Sequence, residues 1–129
     1  MILGKKKKKI LIIDDEADFA NTVKLSLERT GEFEVKTENK GSEGHITAKE
    51  FRPDLILLDV MMPDADGGDV ADRIRADITL KDTPIIFLTG AVTKDETVSM
   101  GGVSAGYPIL AKPVAAEDLL RCIRNNLGR

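Results

Sequence analysis

Five short apolar runs alternate along the chain with stretches whose apolar residues recur every three or four positions. The runs are Ile10–Ile13, Phe33–Thr37, Leu55–Leu58, Ile85–Leu88 and Ile109–Ala111. Most are apolar without interruption, the pattern of parallel strands covered on both faces. Phe33–Thr37 alternates instead, as an edge strand with one wet face would. Between the runs, Phe19, Val23 and Leu27 form one helical stripe and Val70, Ile74 and Ile78 another. Leu119, Leu120, Ile123 and Leu127 form a third near the end. Gly31 punctuates the first helix, and Ser42 is placed to cap the second. Thr93 and Glu96 have capping-box spacing before a helix over about Lys94–Met100. That helix offers little apolar surface beyond Val98 and Met100, so it is expected to be the least firmly docked element. The pattern is (βα)5, an α/β doubly wound parallel sheet with right-handed crossovers.

In such sheets functional groups gather at the carboxyl ends of the strands. The first strand ends in Asp14-Asp15, followed by Glu16. The third ends in Asp59, the fourth in Thr89 and the fifth in Lys112-Pro113. Three carboxylates in one pocket repel one another strongly. Two unit charges 4 Å apart interact by about 4 kcal/mol at an effective dielectric near 20. A hard divalent cation relieves this, and an oxygen-rich, incomplete cage suits Mg²⁺ better than Zn²⁺. A carboxylate beside a metal acts as a nucleophile toward phosphorus, giving an acyl phosphate. Asp59 is the candidate nucleophile and Asp14 and Asp15 the metal holders. Lys112 supplies an ammonium and Thr89 a hydroxyl to the equatorial oxygens of the transferring group.

Composition narrows the classes. The 129 residues are one domain's worth, and 42% hydrophobic with 32% charged residues is ordinary for a globular chain. A net charge of −3 argues against direct nucleic-acid binding. The single cysteine, Cys122, excludes an intrachain disulfide and a thiolate cluster, and reads as a small core residue. No apolar run reaches membrane-spanning length and nothing resembles a signal peptide, so no membrane partner and a cytoplasmic location are expected. Five consecutive lysines, Lys5–Lys9, read as a solvated tail, with residues 1–7 as a flexible basic segment and 8–129 as the domain. His45 reads as a surface residue away from the strand ends, and Gly67 as the provider of a tight turn.

Four pieces in order, each at the end of an expected strand, resemble the receiver domain of two-component response regulators. They are Ile10-Leu-Ile-Ile-Asp14-Asp15-Glu16, Asp59-Val-Met-Met-Pro63-Asp-Ala-Asp-Gly67, Phe87-Leu-Thr89-Gly90-Ala91 and Lys112-Pro113. The resemblance covers about Lys8 to Leu127. It implies the flavodoxin-like fold, sheet order 2-1-3-4-5, with Asp59 as phosphoacceptor in a histidine–aspartate phosphorelay. It implies direct Mg²⁺ binding by Asp15, help from Asp14 through water, a further ligand in the Met61 backbone carbonyl, and a cis Lys112–Pro113 bond. Thr89 and Lys112 would contact the phosphoryl group. The implied partners are a sensor histidine kinase or phosphotransfer protein and a downstream protein, with a phosphorylation-dependent homodimer as a further mode of assembly. Catalysis would be confined to the domain's own phosphoryl transfer and slow autodephosphorylation.

Two other readings compete. An aspartyl-phosphate phosphohydrolase needs an acid two positions after the nucleophile and a cap. Val60 to Met62 supply no acid, and no insertion is long enough for a cap. A receiver-shaped scaffold module, cut from a longer regulator, is opposed by the complete set of five site residues. The chain departs from the commonest family pattern at three places. Ala115 stands where a capping residue is usual, which weakens the last helix by about 1 kcal/mol, with Glu117 and Asp118 compensating partly. The stretch 100–108 departs from the usual compact turn. Ile109 replaces the usual aromatic three residues before the lysine, so Tyr107 is expected to contact a partner and the Lys94–Met100 helix to carry the switch with Thr89. Met61 and Ala91 flank the path of an attacking water and cannot orient it, which implies a long-lived phosphorylated state.

Overall fold

In the computed structural model, residues 6–90 and 107–127 are described. The Thr93–Glu96 box, the Lys94–Met100 helix, Ala91 and residues 100–106 lie outside them. The uninterrupted apolar runs become strands because neighbours in the run point to opposite, equally dry faces. In β1 (Lys8–Ile13), Ile10 and Ile12 join one core while Leu11 and Ile13 join the other. The same split holds for Leu55 and Leu57 against Ile56 and Leu58 in β3 (Leu55–Asp59). It recurs for Ile86 and Leu88 against Ile85 and Phe87 in β6 (Ile85–Thr89). Each such side chain contributes roughly 2 kcal/mol on burial, so a polar residue within any of these runs would be costly.

β2 (Phe33–Glu38) alternates because only Phe33 and Val35 are covered, Glu34 and Lys36 facing water. β7 (Ile109–Ala111) is half-buried at the opposite edge. The five strands run parallel in the order β2-β1-β3-β6-β7, which is 2-1-3-4-5 counted along the main sheet. A short antiparallel ribbon, β4 (Met61–Met62) and β5 (Ala65–Asp66), follows β3. Helices α1 (Ala17–Glu28) and α4 (Ala116–Asn126) cover one face, and α2 (Gly44–Phe51) and α3 (Gly67–Ala76) the other. No helix among the described residues is long and apolar enough to cross a membrane.

α1 is closed by Gly31 at φ +77°, a conformation that costs glycine little. Ser42 does not cap α2. It lies in a 3-10 turn, Gly41–Glu43, and its hydroxyl donates to Asp64 at 2.9 Å. The Asp64 carboxylate also accepts from the Gly41 and Ser42 N–H groups, at 3.2 and 3.1 Å, tying the β3–α3 connection to the turn after β2. Ile78 is exposed and falls beyond α3, because Asp77 leaves the helical region and Leu80 takes the buried place. Ala115 is the residue before α4 and makes no side-chain cap, while Glu117 and Asp118 occupy the first turn. β1 begins at Lys8, so the Lys8 and Lys9 backbones pair with Phe33 and Glu34 although Lys8 remains exposed.

Candidate functional site

The register explains why the polar strand ends meet. Ile13 pairs with Leu58, Asp59 with Leu88, and Thr89 with Ala111. The residues that follow Ile13 and Ala111, Asp14-Asp15 and Lys112, therefore flank Asp59 and Thr89 along one sheet edge. They surround a cleft of about 400 Å³ lined by Asp15, Glu16, Asp59, Met61, Thr89, Gly90 and Lys112. Asp14 lies beneath it, fully buried.

Asp14, Asp15 and Asp59 each bring a carboxylate oxygen within 4.8 Å of the others. Asp14 Oδ1 accepts the Glu16 N–H at 2.9 Å and so starts the turn into α1, while Asn39 Nδ2 donates to its backbone carbonyl at 2.9 Å. Asp14 Oδ2 receives no directed hydrogen bond, although the Lys112 ammonium stands 2.8 Å away, so that contact is an ion pair. Lys112 Nζ is 2.6 Å from Glu16 Oε1 and 3.8 Å from Asp59 Oδ2. Its backbone N–H donates to the Thr89 carbonyl at 2.8 Å, across the β6–β7 edge. The Lys112–Pro113 bond is cis. Thr89 is buried at the end of β6.

Burial pushes the Asp59 carboxyl up to about 7, the Asp14 charge adds to the rise, and Lys112 opposes it. Donors are scarce: the Met61 N–H reaches Asp59 Oδ1 only at 3.4 Å. For Lys112, burial disfavours the ammonium, but the close Asp14 and Glu16 carboxylates outweigh it and raise the value above the ordinary one. Gly67 serves this geometry through close approach rather than an unusual φ. A Cβ there would sit 2.4 Å from the Asp59 carbonyl oxygen, and the Gly67 N–H donates to the Val60 carbonyl at 2.8 Å.

This donor set fits a hard divalent cation. It is all oxygen, it carries surplus negative charge, and two of its three carboxylates, Asp14 and Asp59, are buried within 4.8 Å of each other. Among the described residues, no histidine or cysteine lines the cleft. The structure places Asp14, Asp15, Asp59, Thr89 and Lys112, expected at one strand edge, together at the cleft. The sequence reading missed Glu16 as the nearest partner of Lys112, and Phe19, whose ring centroid lies 4.4 Å from the ammonium. The available signal for Glu16 was its place directly after the paired aspartates. His45 is not a plain surface residue: its Nε2 bonds the Asp77 carboxylate at 2.8 Å, joining α2 to the end of α3. Tyr107 is half-buried, edge-on to Phe87, with its hydroxyl accepting from Arg75 Nε at 2.9 Å. Cys122 is half-buried against the α1/α4 core.

Comparisons with known proteins agree with this geometry. The response regulator receiver domain matches residues 10–124. The chain is 36% identical over 121 residues to the DNA-binding dual master transcriptional regulator RpaA of Synechocystis sp., covering 94% of this chain and 49% of that protein. It spans about half the length of the curated relatives it matches first. Chemotaxis protein CheY4 of Vibrio cholerae is similar at TM-score 0.81 and 29% identity, covering 93% of this chain and 98% of that one. The receiver domain of sensor histidine kinase PA1611 from Pseudomonas aeruginosa PAO1 matches at TM-score 0.83 and 26% identity, covering 96% of this chain and 100% of that one. That structure holds a magnesium ion coordinated in its active site cleft. The chain belongs to the response regulator receiver domain family. Its class is therefore the phosphoacceptor module of two-component signalling.

Proposed function

We propose that Asp59 accepts a phosphoryl group from a sensor histidine kinase or phosphotransfer protein, and that the resulting change of shape alters binding to a downstream protein. The observation that carries this reading is the meeting of Asp14, Asp15 and Asp59 within 4.8 Å, with the Lys112 ammonium beside them. Asp14, Asp15, Asp59 and the Met61 backbone carbonyl would hold Mg²⁺. The ion supplies charge neutralisation for both the carboxylates and the incoming phosphoryl oxygens. An Asp59 carboxylate oxygen attacks phosphorus, the bond from phosphorus to the donor's imidazole nitrogen breaks, and the imidazole leaves with its electron pair. Lys112 and the Thr89 hydroxyl stabilise the equatorial oxygens as their charge develops.

The domain on this reading comprises residues 8–129, preceded by a basic segment, and works in the cytoplasm. Its catalysis is limited to its own phosphoryl transfer and the slow loss of that group. A phosphorylation-dependent homodimer is a further outcome of the same switch. The test is incubation with acetyl phosphate and Mg²⁺, followed by mass measurement of the intact chain. One phosphoryl group per chain is expected, lost on removal of Mg²⁺ and in Asp59→Asn. Full incorporation in Asp59→Asn would overturn the assignment. Lys112→Ala should bind Mg²⁺ as before, since an ammonium is no metal ligand, yet respond poorly to phosphorylation.

A further inference from the structure

Lys112 is seated on the start of α1 rather than on Asp59. Its ammonium lies 2.6 Å from Glu16 Oε1 and 4.4 Å from the centroid of the Phe19 ring, against 3.8 Å from Asp59 Oδ2. Glu16 and Phe19 are three residues apart, so they share one face of the first turn of α1. With Asp14 they replace most of the water that an ammonium otherwise holds, the Lys112 side chain being 10% exposed.

These partners differ in how readily they can let go. Asp14 is fully buried, and losing the ammonium would strand its charge. The Glu16 side chain is 61% exposed, so water can take over its carboxylate at little cost. The Phe19 ring contributes an attraction typical of a cation over an aromatic face and forms no bond that must be broken. The Lys112 backbone is tied to Thr89, which leaves the side chain as the part that moves.

We infer that Glu16 and Phe19 form a releasable cradle that competes with the phosphoryl group for Lys112, which makes Glu16 a positioning residue for phosphorylation of Asp59. This rests on the reading of Asp59 as acceptor. A phosphoryl group adds close to two negative charges beside Asp59 and offers shorter, stronger charge-assisted bonds than a wet carboxylate. Lys112 then leaves the cradle while keeping Asp14, and the start of α1 loses the Glu16 tie to the segment after β7. The state of Asp59 is thereby felt at the start of α1.

Beryllofluoride, a phosphoryl mimic, tests this at saturating Mg²⁺. Glu16→Gln keeps the side-chain shape and removes the competing charge, so beryllofluoride affinity should rise about three- to tenfold. Phe19→Leu should raise it by a smaller factor. Asp18→Asn removes the same charge from the same exposed turn and should leave the affinity unchanged. An independent readout is the ring-current shift of the Lys112 Cε protons over Phe19. It should be upfield in the protein without added metal, absent in Phe19→Leu, and lost when beryllofluoride binds the wild type. Unchanged or weakened affinity in Glu16→Gln, an equal gain in Asp18→Asn, or an upfield shift that persists with beryllofluoride would overturn the cradle. If Glu16→Gln fails to fold, Phe19→Leu and the wild-type shift decide. Failure of the wild type to bind beryllofluoride, or equal binding by Asp59→Asn, would instead overturn the acceptor reading, and the cradle's role with it.

Discussion

The Asp59 and Asp77 side chains are 6% and 8% exposed, but Asp59 lies deep in the protein and Asp77 near its surface, and their carboxyls are driven in opposite directions. Asp59 is pushed up to about 7, first by burial and then by the charge of Asp14. Asp77 is held well below the ordinary carboxylate range, first by the Thr79 hydroxyl and then by His45, with the Thr79 N–H adding to both. Burial and the Asp14 charge set Asp59, whereas donors set Asp77. Asp77 Oδ1 accepts from the Thr79 hydroxyl at 2.7 Å and the Thr79 N–H at 2.9 Å, while Oδ2 faces His45 at 2.8 Å and Lys49 at 4.0 Å. Asp59 has one long bond from Met61 and an ammonium 3.8 Å away. A carboxylate saturated with donors fixes a helix end, whereas one starved of donors keeps its oxygens for incoming chemistry.

The largest effect that would break this comparison belongs to Asp59→Asn. The folded wild type without added metal binds the Asp59 proton more tightly than the unfolded chain, so its stability falls as pH climbs from about 4 through about 7. Replacing the acid by its neutral isostere should stabilise the metal-free protein at pH 8 by on the order of 2 kcal/mol, allowing for water in the cleft. At pH 4 the gain should vanish. Urea melts at both values check this, and an equal gain at the two would show that the raised Asp59 carboxyl is not the reason.

Mg²⁺ sharpens the same point. It should raise the wild-type melting temperature clearly at pH 8 and little at pH 4, because protons then occupy the oxygens it needs. In Asp59→Asn the rise at pH 8 should be much smaller.

Asp77→Asn should behave in the opposite sense. A depressed carboxyl contributes stability above its ordinary value near 4, and that contribution is lost as pH falls through the lowered one. The variant should melt a few degrees below wild type at pH 7. The gap should close in strong acid, and a gap independent of pH would point to packing instead.

The smallest effect concerns the lip of the acceptor cleft. Met61 is 62% exposed and borders the cleft without a group that can orient water. Met61→Asn should speed loss of the phosphoryl group by roughly severalfold. An unchanged or slower rate, followed by phosphate release, would show that Met61 only packs locally.

How much of this was legible beforehand follows from the kind of contact involved. The sheet was readable because its side chains alternate between two dry faces, which writes continuous apolar runs into β1, β3 and β6 and alternation into β2. Parallel strands carry their chain ends to one edge, so the acids, Thr89 and Lys112 were assignable to one place from their positions after those runs. Helix ends were less legible: Ser42 and Ile78 fit their patterns, but Asp64 drew the hydroxyl away and Asp77 ended α3 early.

By itself, then, the sequence determined the layered fold and the inventory of the site, since burial on two faces and strand direction follow from local pattern. Tertiary structure decided which partner each charge takes. Glu16 meets Lys112 across 96 positions and His45 meets Asp77 across 32. No periodicity encodes such pairs. They depend on where two separate chain segments finish beside one another, and on which of the carboxylates within reach is wet enough to give a cation up.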